Sequence, residues 1–264
     1  MANLACTYRN QGRWDEAEKL EVQVMEAREK KLGSHHLDTL RSMGNLASTY
    51  QSQGRCDEAE KLQVQVMEAI KEKLGLHHPD TLISMGNLAV TYQNQGRWAE
   101  AEKLEVQVME ASEEKLGSHH PDTLRSMANL ASTYWNQGRW NEAEKLHVQV
   151  IEARKNKFGS HHPDTMRSMV NLASTYWNQG RCDEAEKLQI QVMEATKEVL
   201  GSHHPDTLSS MANLAVTYWN QGQLDEADAL FSQAVKLMEE IMGSQHPTIS
   251  CIRRILSQLK SLRG

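Results

Sequence analysis

A 42-residue recurrence limits what this chain can fold into. Gly12, Gly54, Gly96, Gly138, Gly180 and Gly222 stand 42 residues apart. The same spacing separates Asn3, Asn45, Asn87, Asn129, Asn171 and Asn213, and all six tyrosines, from Tyr8 to Tyr218. The unit Gly138–Gln179 differs from the one before it at only nine of 42 positions. Self-similarity at a period of about 20–50 residues is the mark of stacked supersecondary units, because one unit cannot bury its apolar face alone.

Each unit carries two helical patterns. The spacing predicts a first helix, A, over about Asp122–Asn136. Its apolar stripe is Leu124, Met127, Leu130, Ala131 and Tyr134, at i, i+3, i+4 intervals. Gly138 breaks the pattern and allows a tight reversal. A second helix, B, is expected over about Trp140–Phe158, with the stripe Trp140, Ala143, Leu146, Val150 and Ala153. Gly159 ends it. Pro163, followed by Asp164, opens the next helix A, since proline suits a first turn and an acid suits the positive end of the helix dipole. The small Ala131 and Ala143 should let the two helices approach closely. β-Branched runs are missing, so the fold class expected is all-α, built of helical hairpins.

Composition narrows the function. The net charge of −6 argues against a general nucleic-acid binder, which needs a basic stripe. The apolar runs are far short of the roughly 20 residues that span a bilayer. No signal pattern opens the chain. Cys56 and Cys182 share a repeat position with Trp14, Trp98, Trp140 and Leu224, where an apolar filler is expected rather than a disulfide. A reduced, cytoplasmic protein is the default. No GxxxxGK[ST], GxSxG or HExxH pattern occurs, so the expectation is a scaffold and not an enzyme, with no cofactor. The recurring EAEK carboxylates, such as Glu142 and Glu144, are expected on a solvated face with i, i+4 charge support. The His pairs, from His35-His36 to His203-His204, are adjacent in loops. They lack the same-face spacing of helical zinc ligands, so no metal is expected.

Asn129-Leu130-Ala131, with Tyr134, Gly138, Trp140 and Ala143, resembles the tetratricopeptide signature. The 42-residue period and the His-Pro-Asp start of helix A resemble the kinesin light chain variant. The wording is closest to the repeat arrays of fungal NB-ARC or NACHT receptor-like proteins. The resemblance implies an α-α superhelix, a tetratricopeptide solenoid, over residues 1–264. It further implies a cytoplasmic module for protein–protein interaction. One departure stands out: helix B carries Glu21, Gln63, Glu105, His147 and Gln189 where the family has an apolar or aromatic residue, and only Phe231 restores it. The inner repeats are therefore expected to pack differently there.

In that family helix A lines the concave face, which implies a peptide groove. Asn45, Asn87, Asn129, Asn171 and Asn213 would form a ladder of amides able to pair with an extended backbone. The competing reading is that they hold loops or neighbouring helices together. Arg41, Arg125 and Arg167 lie one turn earlier, and Trp135, Trp177 and Trp219 near the helix end. Arginine and tryptophan often anchor interfaces, so an acidic and apolar peptide suits the set; the competing readings are solvated surface for the arginines and cover for the A–B turn for the tryptophans. Neither nucleic acid nor membrane is expected as a partner.

The two ends differ. Residues 1–11 read as a helix A lacking its first turns, residues 12–247 as full hairpins, and residues 248–264 as an amphipathic capping helix with Ile249, Ile252, Leu256 and Leu259 on one side. The expectation is a C-terminal piece of a longer protein. Three roles follow: the ligand-sensing repeats of a signalling receptor, a cargo-adaptor domain like that of kinesin light chain, or a module that associates with itself end to end.

Overall fold

The structure, a computed structural model, describes residues 1–243, with the side chains of Ala2 and Met242 left out. The capping helix expected over 248–264 lies outside the described residues. Twelve α-helices occur among those described: α1 Ala2–Asn10, α2 Trp14–Leu32, α3 Leu37–Ser52, α4 Cys56–Leu74, α5 Pro79–Asn94, α6 Trp98–Leu116, α7 Pro121–Asn136, α8 Trp140–Phe158, α9 Pro163–Asn178, α10 Cys182–Leu200, α11 Pro205–Asn220 and α12 Leu224–Met242. Odd-numbered helices are helix A and even-numbered ones helix B. The ranges expected from the sequence, Asp122–Asn136 and Trp140–Phe158, match α7 and α8 to within one residue.

The described residues fall into two compact units, one of Met1–Arg139 and one that begins at Trp140. Within each, the main contacts join helices that follow one another in sequence: α1 through α7 in the first, α8 through α12 in the second. The tight A–B turns come from glycine. Gly96 sits at φ +72°, where a residue with a Cβ is strained, and Arg97 N–H then reaches back to Tyr92 C=O at 2.8 Å, closing the helix end. The other end of helix A is capped by the second histidine of each loop. His36, His78, His120, His162 and His204 each accept the N–H of the aspartate two residues on, at 3.1–3.2 Å.

The predicted stripe is the core. Leu88, Leu124, Leu130 and Leu214 are almost fully buried, as are Ala17, Ala59, Ala101, Ala143 and Ala185 of helix B. Each such leucine contributes about 2 kcal/mol by leaving water. The alanines bring A and B together because nothing larger separates their backbones.

Two expectations need correcting. Trp140, placed in the helix-B stripe, is 36% exposed, and Trp14 is 41% exposed. These residues are first in their helices, so they sit at the rim of the hairpin rather than over the core. The EAEK glutamates are also not a uniformly solvated face. The first takes the arginine three residues earlier, as in Arg55–Glu58 at 2.7 Å. The second is half-buried and bonds to the next hairpin: Arg55 to Glu18 at 2.9 Å, Arg97 to Glu60 at 2.8 Å, and Arg181 to Glu144 at 2.8 Å. Each of these arginines also lies over a tyrosine ring, at 4.0–4.3 Å for Arg55, Arg97 and Arg181.

Candidate functional site

The asparagine row stands on the odd helices. Asn45, Asn87 and Asn129 in the first unit and Asn213 in the second are exposed, and Asn171 is half-buried. None of the five amide side chains makes a hydrogen bond among the described residues, so their donors and acceptors face outward. Arg41, Arg125 and Arg167 are exposed one turn earlier. Each is tied to the aspartate three residues before it: Asp38 at 3.6 Å, Asp122 at 2.9 Å, and Asp164. The aspartates hold the guanidinium groups near the helix start and leave part of each fork free.

Between α3 and α5 these side chains border a groove of about 220 Å³. Asn45 and Arg41 line it from α3, and Asn87 and Ile83 from α5. Leu40 and Val66, both buried, lie beneath. Ile83, 52% exposed, occupies the place of the arginines, and Val90, 39% exposed, follows one turn after Asn87. Polar amides over an apolar floor can bind an extended chain through its backbone and through a side chain at once. Ile83 was not among the contact residues expected from the sequence, because it breaks the arginine row between Arg41 and Arg125.

The tryptophan row behaves differently. Trp135, Trp177 and Trp219 are half-buried. The Nε1 of Trp135 is shielded from solvent and has no hydrogen-bond partner. On α3 and α5 glutamines take this position and point inward. Gln51 donates to Thr91 of the next hairpin, and Gln93 donates to Thr133 at 2.8 Å and to Glu105 at 2.8 Å.

That inward direction explains the polar positions of helix B. Glu21, Gln63, Glu105 and His147 are all buried, between 2% and 5% exposed. Their partners include a threonine row that the sequence reading passed over. Thr49 donates to Glu21 at 2.6 Å and Thr91 donates to Gln63. Thr49, Thr91, Thr133, Thr175 and Thr217 are themselves buried. The 42-residue recurrence of these threonines, facing a polar helix-B position, was the available signal. Burial moves Glu105 and His147 strongly. Desolvation raises the Glu105 carboxyl to about 7, against a bond from Thr133 and with help from Glu102. Desolvation, with repulsion from Arg154, lowers His147 to about 4.

Among the described residues no group of three or more His, Cys, Asp or Glu side chains could hold a metal ion. The first loop histidines instead meet polar neighbours, such as Ser118 with His119 at 2.9 Å and Glu240 with His203 at 2.8 Å. Among the described residues no helix is long and apolar enough to cross a membrane.

Comparison with known proteins places this architecture. The tetratricopeptide repeat family model matches residues 1–72, 44–114, 80–156, 127–182 and 164–240. Among solved structures, the nearly identical TPR-like repeats of a Podosopora anserina protein assigned to the kinesin light chains are 35% identical. That match covers 77% of this chain and 96% of the other, with a TM-score of 0.70. BtubC (BKLC) of P. vanneervenii is 19% identical over 89% of this chain and 94% of its own, with a TM-score of 0.74. A Pyrococcus horikoshii STAND (signal transduction ATPase with numerous domains) protein with a tetratricopeptide repeat sensor is 13% identical. It matches over 100% of this chain and 38% of its own, with a TM-score of 0.75. No curated protein matches. The helical hairpins, their 42-residue period and the family match agree: this chain belongs to the tetratricopeptide repeat family.

Proposed function

We propose that the chain is a non-catalytic scaffold of the cytoplasm. It binds an extended peptide or protein segment along the helix-A side and serves as the ligand-sensing repeats of a larger signalling receptor. The observation that carries the binding reading is the groove between α3 and α5, where the unpaired amides of Asn45 and Asn87 border an apolar floor. Backbone pairing through such amides gives affinity without choosing a sequence. Arg41 and Ile83 then favour an acidic and an apolar side chain respectively. Asn129, Asn171, Asn213, Arg125 and Arg167 extend the same pattern on later helices. Trp135, Trp177 and Trp219 contribute ring edges. The receptor role is supported by the fold shared with a STAND protein's repeat sensor.

The test is selection of peptides against the full chain from a displayed library. Selected peptides should be acidic and apolar. Asn45→Ala with Asn87→Ala should weaken them at least about tenfold, the scale of a pair of lost hydrogen bonds to a ligand, without lowering thermal stability. Unchanged affinity would sink the groove.

A cargo-adaptor role is the second reading, favoured by the 35% identity with repeats assigned to the kinesin light chains. The complete reading frame separates the two: a nucleotide-binding domain upstream supports the receptor, and a heptad coiled coil supports the adaptor.

A further inference from the structure

The positions facing each other inside a hairpin differ from repeat to repeat, and the difference decides where charge is tolerated. In the first hairpin, Arg9 of α1 faces Glu21 of α2, with Nη1 3.8 Å from Oε1. Thr49 donates to the other oxygen at 2.6 Å. The buried carboxylate therefore has a cation on one side and a donor on the other. Two repeats later the same two positions are Gln93 of α5 and Glu105 of α6. Gln93 Nε2 lies 2.8 Å from Glu105 Oε1 and 2.8 Å from Thr133 Oγ1 of α7. Glu105 is 3% exposed, and its Oε2 is buried with no hydrogen-bond partner. The arginine has been replaced by a neutral amide while the acid has been kept.

An ionised carboxylate in such a place bears the full cost of desolvation, whereas the protonated acid does not. The groups facing Glu105 from the flanking helices, Gln93 of α5 and Thr133 of α7, are neutral. The charged group acting on it is Glu102 on its own helix, of like sign. Glu102 is itself held by Arg139, with Nη1 2.8 Å from Oε1, so that cation is already engaged. The amide of Gln93 and the bond from Thr133 offset part of that cost, but no cation neutralises a negative charge on Glu105 as Arg9 does for Glu21.

We propose that Gln93, Glu105 and Thr133 form a proton-operated joint, in which protonation of Glu105 tightens the contact of α5, α6 and α7 and its ionisation loosens it. The joint lies under the helix that carries Asn87 and Ile83, so a change in proton concentration reaches the helix-A face through Gln93. The joint itself does not depend on what that face binds.

The direction follows from linkage. The folded-state carboxyl is raised to about 7 from an ordinary value of 4.5. The folded protein therefore holds more protons than the unfolded chain between those values. Stability from this residue is whole below about 4.5, falls as pH rises, and is lost above about 7. Across that span the folding equilibrium constant changes by about 300-fold.

The experiment is unfolding of the full chain from pH 5 to pH 8.5, for the natural sequence, Glu105→Gln and Gln93→Arg. Taking the difference from the natural sequence removes the contribution of the histidines, which all three share. Glu105→Gln should gain stability relative to the natural chain as pH rises and lose that gain at pH 5. Gln93→Arg should behave likewise by supplying the cation that Arg9 gives Glu21. A Glu105→Gln variant whose pH profile runs parallel to the natural one overturns the proposal. So does a Gln93→Arg variant that stabilises equally at both ends. Should either variant unfold, the side-chain carboxyl resonance of Glu105, titrated by carbon NMR in the natural chain, decides: a midpoint near that of a free glutamate refutes the joint.

Discussion

Arg97 reaches from one hairpin to Glu60 of the hairpin before it, with Nη1 2.8 Å from both carboxylate oxygens, while its guanidinium carbon rests 4.3 Å above the ring of Tyr92. Its Nε is 3.0 Å from Glu100, in the helix it opens. Gln95 adds a second bond to Glu60 at 2.9 Å. Burial works against a charge on Glu60, yet the bonds from Arg97 and Gln95 hold its carboxyl below the usual range. The same fixture recurs at Arg55 with Glu18 and at Arg181 with Glu144. It is a stitch between successive hairpins, and it fixes how one is set against the next.

A double-mutant cycle on Arg97 and Glu60 tests that stitch. Arg97→Ala and Glu60→Ala should each lower the thermal midpoint. The double variant should fall by less than the sum, because the two groups share one interaction. Raising the salt concentration should shrink the coupling, since both side chains are partly exposed to water. Additive losses would show that the pair does not act as a unit.

Gly96→Ala should cost about 1–2 kcal/mol. The residue sits at φ +72°, and an added Cβ would meet open space, so the cost is the left-handed backbone alone. Gly86, inside α5 and without positive φ, supplies the contrast. Gly86→Ala should stabilise by up to about 1 kcal/mol by raising helix propensity. Equal effects at the two sites, measured by denaturant unfolding, would contradict this account.

The histidine caps predict a selective rescue. His120→Ala removes the acceptor for Asp122 N–H at 3.2 Å and should cost about 1 kcal/mol. His120→Asn should recover most of it, because an asparagine oxygen can accept the same bond. A stability series of the three proteins reads this directly.

His147 should make the protein acid-sensitive. Desolvation first, and Arg154 second, depress its folded-state value to about 4 from 6.5. Its contribution is therefore whole above about 6.5 and is lost as pH falls through about 4, a span worth about 3 kcal/mol. His147→Gln should flatten unfolding curves in that window. An unchanged acid limb would place the sensitivity elsewhere.

Much of the fold was legible because its causes are local. The glycines at 42-residue intervals, the prolines at helix starts and the i, i+3, i+4 stripe of Leu124, Met127 and Leu130 act over a few residues. They fixed helix limits to within one residue at α7 and α8. Spacing alone likewise puts each arginine one turn before the asparagine of its own helix A. The sequence did not show that Ile83 joins Asn45 at a groove, since that depends on how α3 lies beside α5.

Tertiary structure decided the rest. Glu60 looks like any surface glutamate in an EAEK run, and only its meeting with Arg97, 37 residues on, makes it a stitch. Glu105 and His147 look like breaks in an apolar stripe, and only burial turns them into groups with displaced proton affinities. Trp140 looks like core, and its place at the first residue of α8 leaves it 36% exposed. The common reason is range. The backbone's local preferences are written in consecutive residues, whereas desolvation and pairing are properties of the space between helices that the chain brings together from a repeat away.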